Sequence, residues 1–228
     1  MVNLVDSVIP GIVNGLSRWM FSKNCFPWTP VSMELIAFGT GAAVFKLRWE
    51  NEYHVLRMYR KSLGKSPVGL LAIAGYYKKN YDTVLSWYGS TSGLVLPMKF
   101  IVLEGLPLVG PVAASIQPYV QGQKYDLFED FSDHDLLKLF ESSNFLREQF
   151  VLFAKQTMSQ WAGRKMCYDF LGRENIMLVK QGGDYKLHIV DVGVFKFDDP
   201  EHNLPQKVAQ IEQRMERLAS LCELAIKI

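Results

Sequence analysis

Three oxygen-bearing side chains follow or precede short apolar runs in the second half of this 228-residue chain. Asp169 opens a loop, Asn175 closes it against the apolar run 176–179, and Asp191 follows a second apolar run, 187–190. Two strands joined by a Gly-Gly-Asp turn form a hairpin, which is expected to bring Asn175 and Asp191 to one point. Such oxygens suit Mg²⁺, and Asp169 is placed to accept a proton from a hydroxyl. The pattern predicts phosphoryl transfer, in which positioning and charge neutralisation do most of the catalysis.

The same residues resemble the catalytic segment of the protein-kinase-like superfamily, including its aminoglycoside-kinase and small-molecule-kinase branches. Tyr168-Asp169 resembles the start of the catalytic loop, 175–178 its end, and 191–193 the metal-binding Asp-x-Gly triplet. The resemblance implies that Asp169 is the catalytic base and that the Asn and Asp of the other two segments bind Mg²⁺. A surface loop followed by an ordinary hairpin is the alternative for this stretch.

The catalytic loop departs from the family in its length. Asp169 and Asn175 are six positions apart, one more than the family usually has. The loop therefore needs a bulge, which Gly172 would allow.

The first half of the chain has the pattern of three antiparallel strands over 34–60, with a glycine turn at Gly39-Thr40-Gly41. Backbone amides in such a turn can approach phosphate oxygens, although a plain hairpin turn explains it equally well. In the family a glycine loop opens this hairpin, and a basic residue on the third strand binds the nucleotide phosphates. The resemblance implies that role for Arg57, which replaces the usual Lys, and implies that Val44 covers the adenine.

A long helical stretch begins at Pro67, where the family has the helix whose Glu pairs with the third-strand Lys. No Glu occurs in this stretch, and Asp82 is its only acid. Asp82 is therefore either the partner of Arg57 or simply solvated.

The run 118–122 resembles the hinge of the family. The resemblance implies that adenine contacts the Pro118 carbonyl and the Val120 amide. An edge strand that ends at Gly122 fits these residues equally well.

Helical periodicity dominates the rest of the chain. Asp133 can cap a helix that begins near His134, and the apolar spacing supports one or two helices before Gly163. After Gly193 only a short connector precedes a last amphipathic helix, so the peptide-docking platform of protein kinases is expected to be absent. The apolar positions of that helix are Val208, Ile211, Met215, Leu218, Cys222 and Ala225.

Composition argues against several other classes of protein. The net charge is +2 and basic residues are scattered among acids, so nucleic-acid binding is not favoured. Cys25, Cys167 and Cys222 are far apart and have no CxxC spacing, which argues against a disulfide framework and a zinc site and favours a reducing cytosol. No apolar run approaches the length of a membrane span.

The N-terminal segment 1–28 has a helical apolar rhythm that Pro10 and Gly11 interrupt. It lacks the basic start and the cleavage site of a secretory signal. It is expected to be a helix packed on the domain, and the alternative is a peripheral contact with a membrane or a protein partner. The expected location is cytoplasmic, with a membrane-peripheral alternative.

These observations predict an α+β protein with a two-lobed protein-kinase-like fold. An N-terminal helix and linker (1–29) would precede an antiparallel-sheet N-lobe (30–122) and a mostly helical, truncated C-lobe (123–228). The expected function is ATP- and Mg²⁺-dependent transfer of the γ-phosphate to a hydroxyl of an unidentified small-molecule or protein acceptor. The alternative is a pseudokinase-like nucleotide-binding or protein-interaction module, which Arg57, the helix without Glu and the short carboxyl end favour.

Overall fold

The computed structural model divides the chain into two compact units. The first comprises the described residues up to Lys78 together with Pro97–Tyr119, and the second comprises Lys79–Leu96 and Val120–Ile228. The three-part division predicted from the sequence stays a prediction, because its first part lies outside the described residues. The structure describes residues 32–39, 41–49, 51–90, 92–103, 110–173, 175–199 and 204–228.

The first unit is built on a five-stranded antiparallel sheet with the strand order β1-β2-β3-β5-β4. The three strands predicted over 34–60 are confirmed as β1 to β3, and β4 and β5 complete the sheet. The strands are β1 (Ser32–Phe38), β2 (Ala42–Trp49), β3 (Glu52–Tyr59), β4 (Lys99–Leu103) and β5 (Val112–Pro118).

The two faces of this sheet differ in chemistry because successive side chains on a strand point to opposite sides. One face carries an apolar cluster that includes Phe45, Leu56 and Met58, all buried. Arg57 lies between two of these residues on β3 and therefore points to the other face, where Val44 of β2 lies directly opposite it. Val55 and Tyr59, both buried, lie on the same side of β3 as Arg57, so this second face carries apolar as well as charged side chains.

Four α-helices occur among the described residues. The long helix predicted to begin at Pro67 is confirmed as α1 (Pro67–Tyr88), and the last amphipathic helix as α4 (Pro205–Lys227). The one or two helices predicted before Gly163 are α2 (Asp133–Ser142) and α3 (Asn144–Arg164). No described helix is both long enough and apolar enough to span a bilayer.

The cap of α2 corrects a prediction. Asp133, expected to be the cap, is the first helical residue, and the cap is Ser132. The Ser132 hydroxyl accepts from the Asp135 amide at 3.2 Å, and the Asp135 carboxylate accepts from the Ser132 amide at 3.4 Å. This reciprocal pair satisfies two amides that a helix start leaves without partners.

The second unit contains two small sheets beside its helices. The predicted hairpin is confirmed as β8 (Ile176–Gln181) and β9 (Asp184–Ile189), and β6 (Gln123–Asp126) adds a third strand next to β8. A separate pair joins β7 (Met166–Tyr168) to β10 (Val194–Lys196). The segment after Gly193, expected to be only a connector, therefore begins with a strand.

The α+β fold class is confirmed by these elements: the first unit is organised on an antiparallel sheet, and helices dominate the second. The core of the second unit lies between its helices and the β7 to β10 strands, and it includes Phe140, Phe153 and Tyr168. Two of the three cysteines, Cys167 and Cys222, are buried free thiols, and Cys25 lies outside the described residues. Burial, and to a smaller extent the nearby Asp169 carboxylate, raises the pKa of the Cys167 thiol, as expected of an unreactive core cysteine.

His188 on β9 gives the second unit a predicted dependence on pH. Its Nδ1 lies 3.2 Å from the Gly93 carbonyl, and burial lowers the pKa of the imidazole below its ordinary value. The unfolded chain takes up a proton near the ordinary pKa of about 6.5, whereas the folded chain does so only at lower pH. The stability that the neutral imidazole contributes is therefore complete above about pH 6.5 and is lost as the pH falls through the folded pKa.

Urea unfolding measured at a series of pH values tests this. The parent should lose stability on acidification, and His188→Gln should lose less of it. The matched control is His134→Gln, because His134 is an exposed histidine on α2. Equal acid sensitivity in the parent and in His188→Gln would contradict the prediction.

Candidate active site

Asp169 stands at the end of β7, where the chain leaves the core. Its backbone amide donates to the Gly193 carbonyl at 2.9 Å and so extends the pairing of β7 with β10. Its carboxylate Oδ1 accepts from the Leu171 amide at 3.1 Å. A side-chain carbon placed on Gly193 would lie 2.8 Å from Asp169 Cβ and 3.2 Å from Oδ2. The glycine of the Asp-x-Gly triplet therefore provides the space that the Asp169 side chain occupies.

Gly193→Ala should lower the stability of the protein by about 1–3 kcal/mol, the usual cost of adding a methyl group to a filled site. It should also displace the Asp169 carboxylate. Gly183→Ala is the matched control, because a side-chain carbon at Gly183 meets nothing within 4 Å. Chemical denaturation of both variants checks the difference, and equal stabilities would show that the Asp169 side chain does not fill the space beside Gly193.

Asn175 is tied directly to the start of the catalytic loop. Its side-chain Nδ2 donates to the Asp169 carbonyl at 2.7 Å, which fixes the orientation of the amide and makes Oδ1 the candidate metal ligand. Its own carbonyl accepts from the Val190 amide at 3.0 Å and from the Tyr168 hydroxyl. Both ends of the loop are therefore joined to the strands that follow and precede it.

Gly172 explains how the loop accommodates its extra residue. A side-chain carbon at Gly172 would lie 2.5 Å from Asn175 Nδ2, and the Asn175 amide donates to the Gly172 carbonyl at 3.3 Å. Its φ is not among the positive values found in the chain. The glycine is needed for close approach of the Asn175 amide group and not for an unusual backbone conformation.

Asp191 follows a residue that is hydrogen-bonded to the end of this loop. The Val190 amide donates to the Asn175 carbonyl, so Asp191 follows immediately after a residue paired with Asn175. The Asp191 Oδ1 accepts from the Val192 amide at 2.7 Å, and the side chain is half-buried. The hairpin thus places Asn175 and Asp191 at the same end of the β8–β9 pair. The convergence of their side-chain oxygens stays a prediction.

A metal cage made only of protein ligands is not part of this arrangement. Among the described residues, no group of three or more His, Cys, Asp or Glu side chains could hold a metal ion. Mg²⁺ commonly takes one or two protein carboxylates and completes its shell with water and phosphate oxygens. The donor set of Asn175 Oδ1 and the Asp191 carboxylate fits that kind of site, and their role as metal ligands stays a prediction.

Arg57, the residue predicted to bind phosphate, belongs to the first unit. Its Nη1 and the Oε1 of Gln117 are buried and have no hydrogen-bond partner among the described residues. Arg57 pairs with Ser115 on β5, so Gln117, two positions further on, points to the same face. Buried polar atoms usually have a hydrogen-bond partner, so these two atoms mark a place where a ligand or a water molecule could bind. Val44, predicted to cover the adenine, lies on this face too.

The glycine turn is a closed hairpin between β1 and β2. The Gly39 amide donates to the Ala42 carbonyl at 3.0 Å, so it is used within the turn, and Thr40 lies outside the described residues. The Arg60 amide donates to the Gly41 carbonyl, and the Arg60 Nη1 donates to the Gly39 carbonyl, both at 3.0 Å. The hydrogen bond of the Gly39 amide is the one expected of an ordinary hairpin turn, which was the alternative to a phosphate-binding loop. A phosphate-binding role for the three turn residues stays a prediction.

Arg60 and Lys46 are polar residues of this unit that the sequence analysis missed. The Arg60 guanidinium carbon lies 4.8 Å from the centre of the Phe38 ring at the glycine turn. The Lys46 Nζ lies 4.5 Å from the Tyr53 ring and 4.6 Å from the Tyr119 ring. The signal for Arg60 was its position directly after the third strand, three residues beyond Arg57.

The hinge-like run begins at the end of β5. The Tyr119 amide donates to the Tyr53 carbonyl at 2.9 Å and is therefore satisfied within the first unit. Pro118 belongs to the first unit and Val120 to the second. The adenine contacts predicted for the Pro118 carbonyl and the Val120 amide stay predictions, as does the pairing of Arg57 with Asp82.

No family model and no curated protein matches this sequence. Solved structures do match. The aminoglycoside phosphotransferase APH(4)-Ia is 12% identical, with 94% of this chain and 86% of that chain covered and a TM-score of 0.45. An alpha kinase from Entamoeba histolytica is 11% identical, with 77% and 68% covered and a TM-score of 0.39. These neighbours are members of the protein-kinase-like superfamily.

Several of the similar structures were determined with ligands. An example is a thermostable mutant of APH(4)-Ia in a ternary complex with AMP-PNP and hygromycin B. It is 12% identical to this chain, with 93% of this chain and 88% of that chain covered and a TM-score of 0.43.

Proposed function

We propose that this chain is a phosphotransferase that moves the γ-phosphate of Mg²⁺-bound ATP to a hydroxyl group of an acceptor. The observation that carries the proposal is the bonding around Asp169. Its carboxylate is oriented by the Leu171 amide and lies against Gly193, while Asn175 binds its backbone carbonyl. A carboxylate held in this way, beside two further oxygen ligands, suits a group that orients a hydroxyl and accepts its proton.

Each residue has a distinct task in this proposal. Asp169 orients the acceptor hydroxyl and takes its proton, and the Asn175 Oδ1 and the Asp191 carboxylate hold the metal. For the first unit by itself, we propose that Arg57 binds a phosphate group, because its buried Nη1 has no hydrogen-bond partner among the described residues. When bound, Mg²⁺ and ATP would supply charge neutralisation and the phosphoryl group.

The direct test is transfer of radiolabelled γ-phosphate from ATP to a panel of hydroxylated small molecules and proteins, with and without Mg²⁺. Mg²⁺-dependent labelling of an acceptor supports the proposal. Nucleotide binding without transfer to any acceptor would instead favour a pseudokinase-like module. The Arg that replaces the usual Lys at position 57 and the engaged amide of Gly39 favour that second candidate.

Arg57→Ala should weaken MgATP binding about 10–100-fold, because a hydrogen bond to a charged group contributes roughly 1.5–3 kcal/mol. Arg48→Ala is the matched control, since Arg48 is an exposed arginine on β2 of the same sheet. Nucleotide titration by calorimetry measures both. An Arg57→Ala protein that binds MgATP as tightly as the parent would remove Arg57 from the phosphate site.

A further inference from the structure

An arginine on the last helix, α4, contacts the segment that follows Asp169. Arg214 Nη1 donates to the Phe170 carbonyl, and its Nη2 donates to the Glu129 carboxylate. Its guanidinium carbon also lies 4.9 Å from the centre of the Phe128 ring. Three contacts fix this side chain, of which 19% is exposed. The backbone atom that it holds belongs to the residue directly after Asp169.

The Phe170 carbonyl and the Leu171 amide belong to the same peptide group. Arg214 holds the oxygen of that group, and the N–H of the same group donates to the Asp169 Oδ1 at 3.1 Å. Because the peptide group is planar and rigid, its oxygen and its N–H cannot turn independently. The direction of the N–H that orients the Asp169 carboxylate is therefore coupled to the bond from Arg214.

The Phe170 side chain provides a second restraint on this peptide group. Its ring is buried and lies 5.5 Å from the Phe128 ring, on which the Arg214 guanidinium also packs. The Phe170 amide donates to the Tyr168 carbonyl at 2.9 Å. Arg214 thus completes a set of contacts that immobilises the backbone on the carboxyl side of Asp169.

We infer that Arg214 is a positioning residue of the transfer site, which orients the Asp169 carboxylate through the peptide group between Phe170 and Leu171. This inference rests on the function proposed above. Arg214 does not itself contact the reacting atoms in this scheme. Its loss should lower the rate of phosphate transfer and should leave nucleotide affinity unchanged.

Arg217 offers a matched control on the same helix. It donates to the Phe128 carbonyl at 2.7 Å, to the Phe131 carbonyl at 2.6 Å and to the Asp133 carboxylate at 2.7 Å. Its side chain is 24% exposed, close to the value for Arg214. None of these partners lies in the segment after Asp169. Arg217→Gln therefore removes a comparable anchor of α4 without releasing the Phe170 carbonyl.

The test compares Arg214→Gln, Arg214→Lys and Arg217→Gln in the full-length protein. Arg214→Gln should lower kcat for phosphate transfer about 10–100-fold, as displacement of a reacting group by about 1 Å can. The Kd for MgATP should not change, and Arg214→Lys, which keeps a cationic donor, should recover part of the rate. Arg217→Gln should lower Tm and keep the parent kcat.

Amide hydrogen exchange gives a readout that does not depend on activity. Exchange of the Leu171 amide should accelerate in Arg214→Gln and remain at the parent rate in Arg217→Gln. Equal losses of kcat in the Gln variants of both arginines, or an unchanged Leu171 exchange rate in Arg214→Gln, would overturn the inference. If the parent transfers no phosphate to any acceptor, the proposed function fails, and with it the catalytic consequence inferred for Arg214. Faster Leu171 exchange would then still show that Arg214 holds this peptide group.

Discussion

Asp169→Asn is expected to lower phosphate transfer about 10²–10⁴-fold, the usual contribution of a general base, and to leave MgATP affinity nearly unchanged. Asparagine keeps the shape of the side chain and an oxygen that can accept from the Leu171 amide. It lacks the negative charge that attracts the hydroxyl proton. Rate and affinity should therefore separate, because Asp169 acts on the acceptor and not on the nucleotide.

The measurements are single-turnover transfer and nucleotide titration on the parent and on two variants. Asp184→Asn is the matched control, since Asp184 is an exposed aspartate at the start of β9. It should transfer phosphate at the parent rate. Equal transfer rates in the parent and in Asp169→Asn would reject the role of Asp169 as base, and the absence of both transfer and nucleotide binding in the parent would favour a scaffold protein.

The parts of the fold that could be predicted are those in which local periodicity coincides with burial. β2 alternates in polarity over 45–48, and its Phe45 and Leu47 are buried in the apolar cluster of the sheet. The last helix repeats apolar residues at helical spacing, and Ile211, Met215 and Leu218 are buried as predicted. Gly182, with φ of 63°, closes the β8–β9 hairpin between two apolar runs. In each case the signal lies within one element or one turn.

The parts that could not be predicted depend on partners distant in the chain. β7 and β10 have three residues each, too few for a periodic pattern, and they form only because each pairs with the other. β6 likewise depends on its pairing with β8. The bond from Arg214 to the Phe170 carbonyl joins residues 44 positions apart. No local pattern marks either residue for that contact.

The candidate site, too, could be predicted only in part from the sequence. Asn175 and Asp191 could be chosen as candidates because each stands at the edge of an apolar run, and the hairpin between those runs is present. Asp169 was a candidate because Tyr168-Asp169 resembles the start of a catalytic loop. The sequence could not show why position 172 needs a glycine, because the reason is the close approach of the Asn175 side-chain amide. Residue type and spacing identified the chemical groups, and the long-range bonds that orient them required the structure.

Asp191→Ala is expected to reduce MgATP affinity to that of metal-free ATP. In the proposed site the Asp191 carboxylate is the only charged protein ligand of the metal, and the Asn175 oxygen alone would bind Mg²⁺ weakly because the ion loses its water reluctantly. The carboxylate also accepts from the Val192 amide at 2.7 Å, so removing it disturbs the local backbone as well. Asp191→Asn separates these effects, since its amide oxygen can still accept that bond.

Nucleotide titrations with and without Mg²⁺ on the parent, Asp191→Ala and Asp191→Asn measure this difference. Asp198→Ala serves as the matched control, because Asp198 is an exposed aspartate shortly after β10. Both Asp191 variants should lose the Mg²⁺-dependent part of the affinity, and Asp198→Ala should retain it. If Asp191→Asn kept the full Mg²⁺ dependence, the role of Asp191 would be to orient the Val192 amide, and the metal would need another carboxylate. Asp169 would then be the next residue to test, since its side chain lies against Gly193, two residues beyond Asp191.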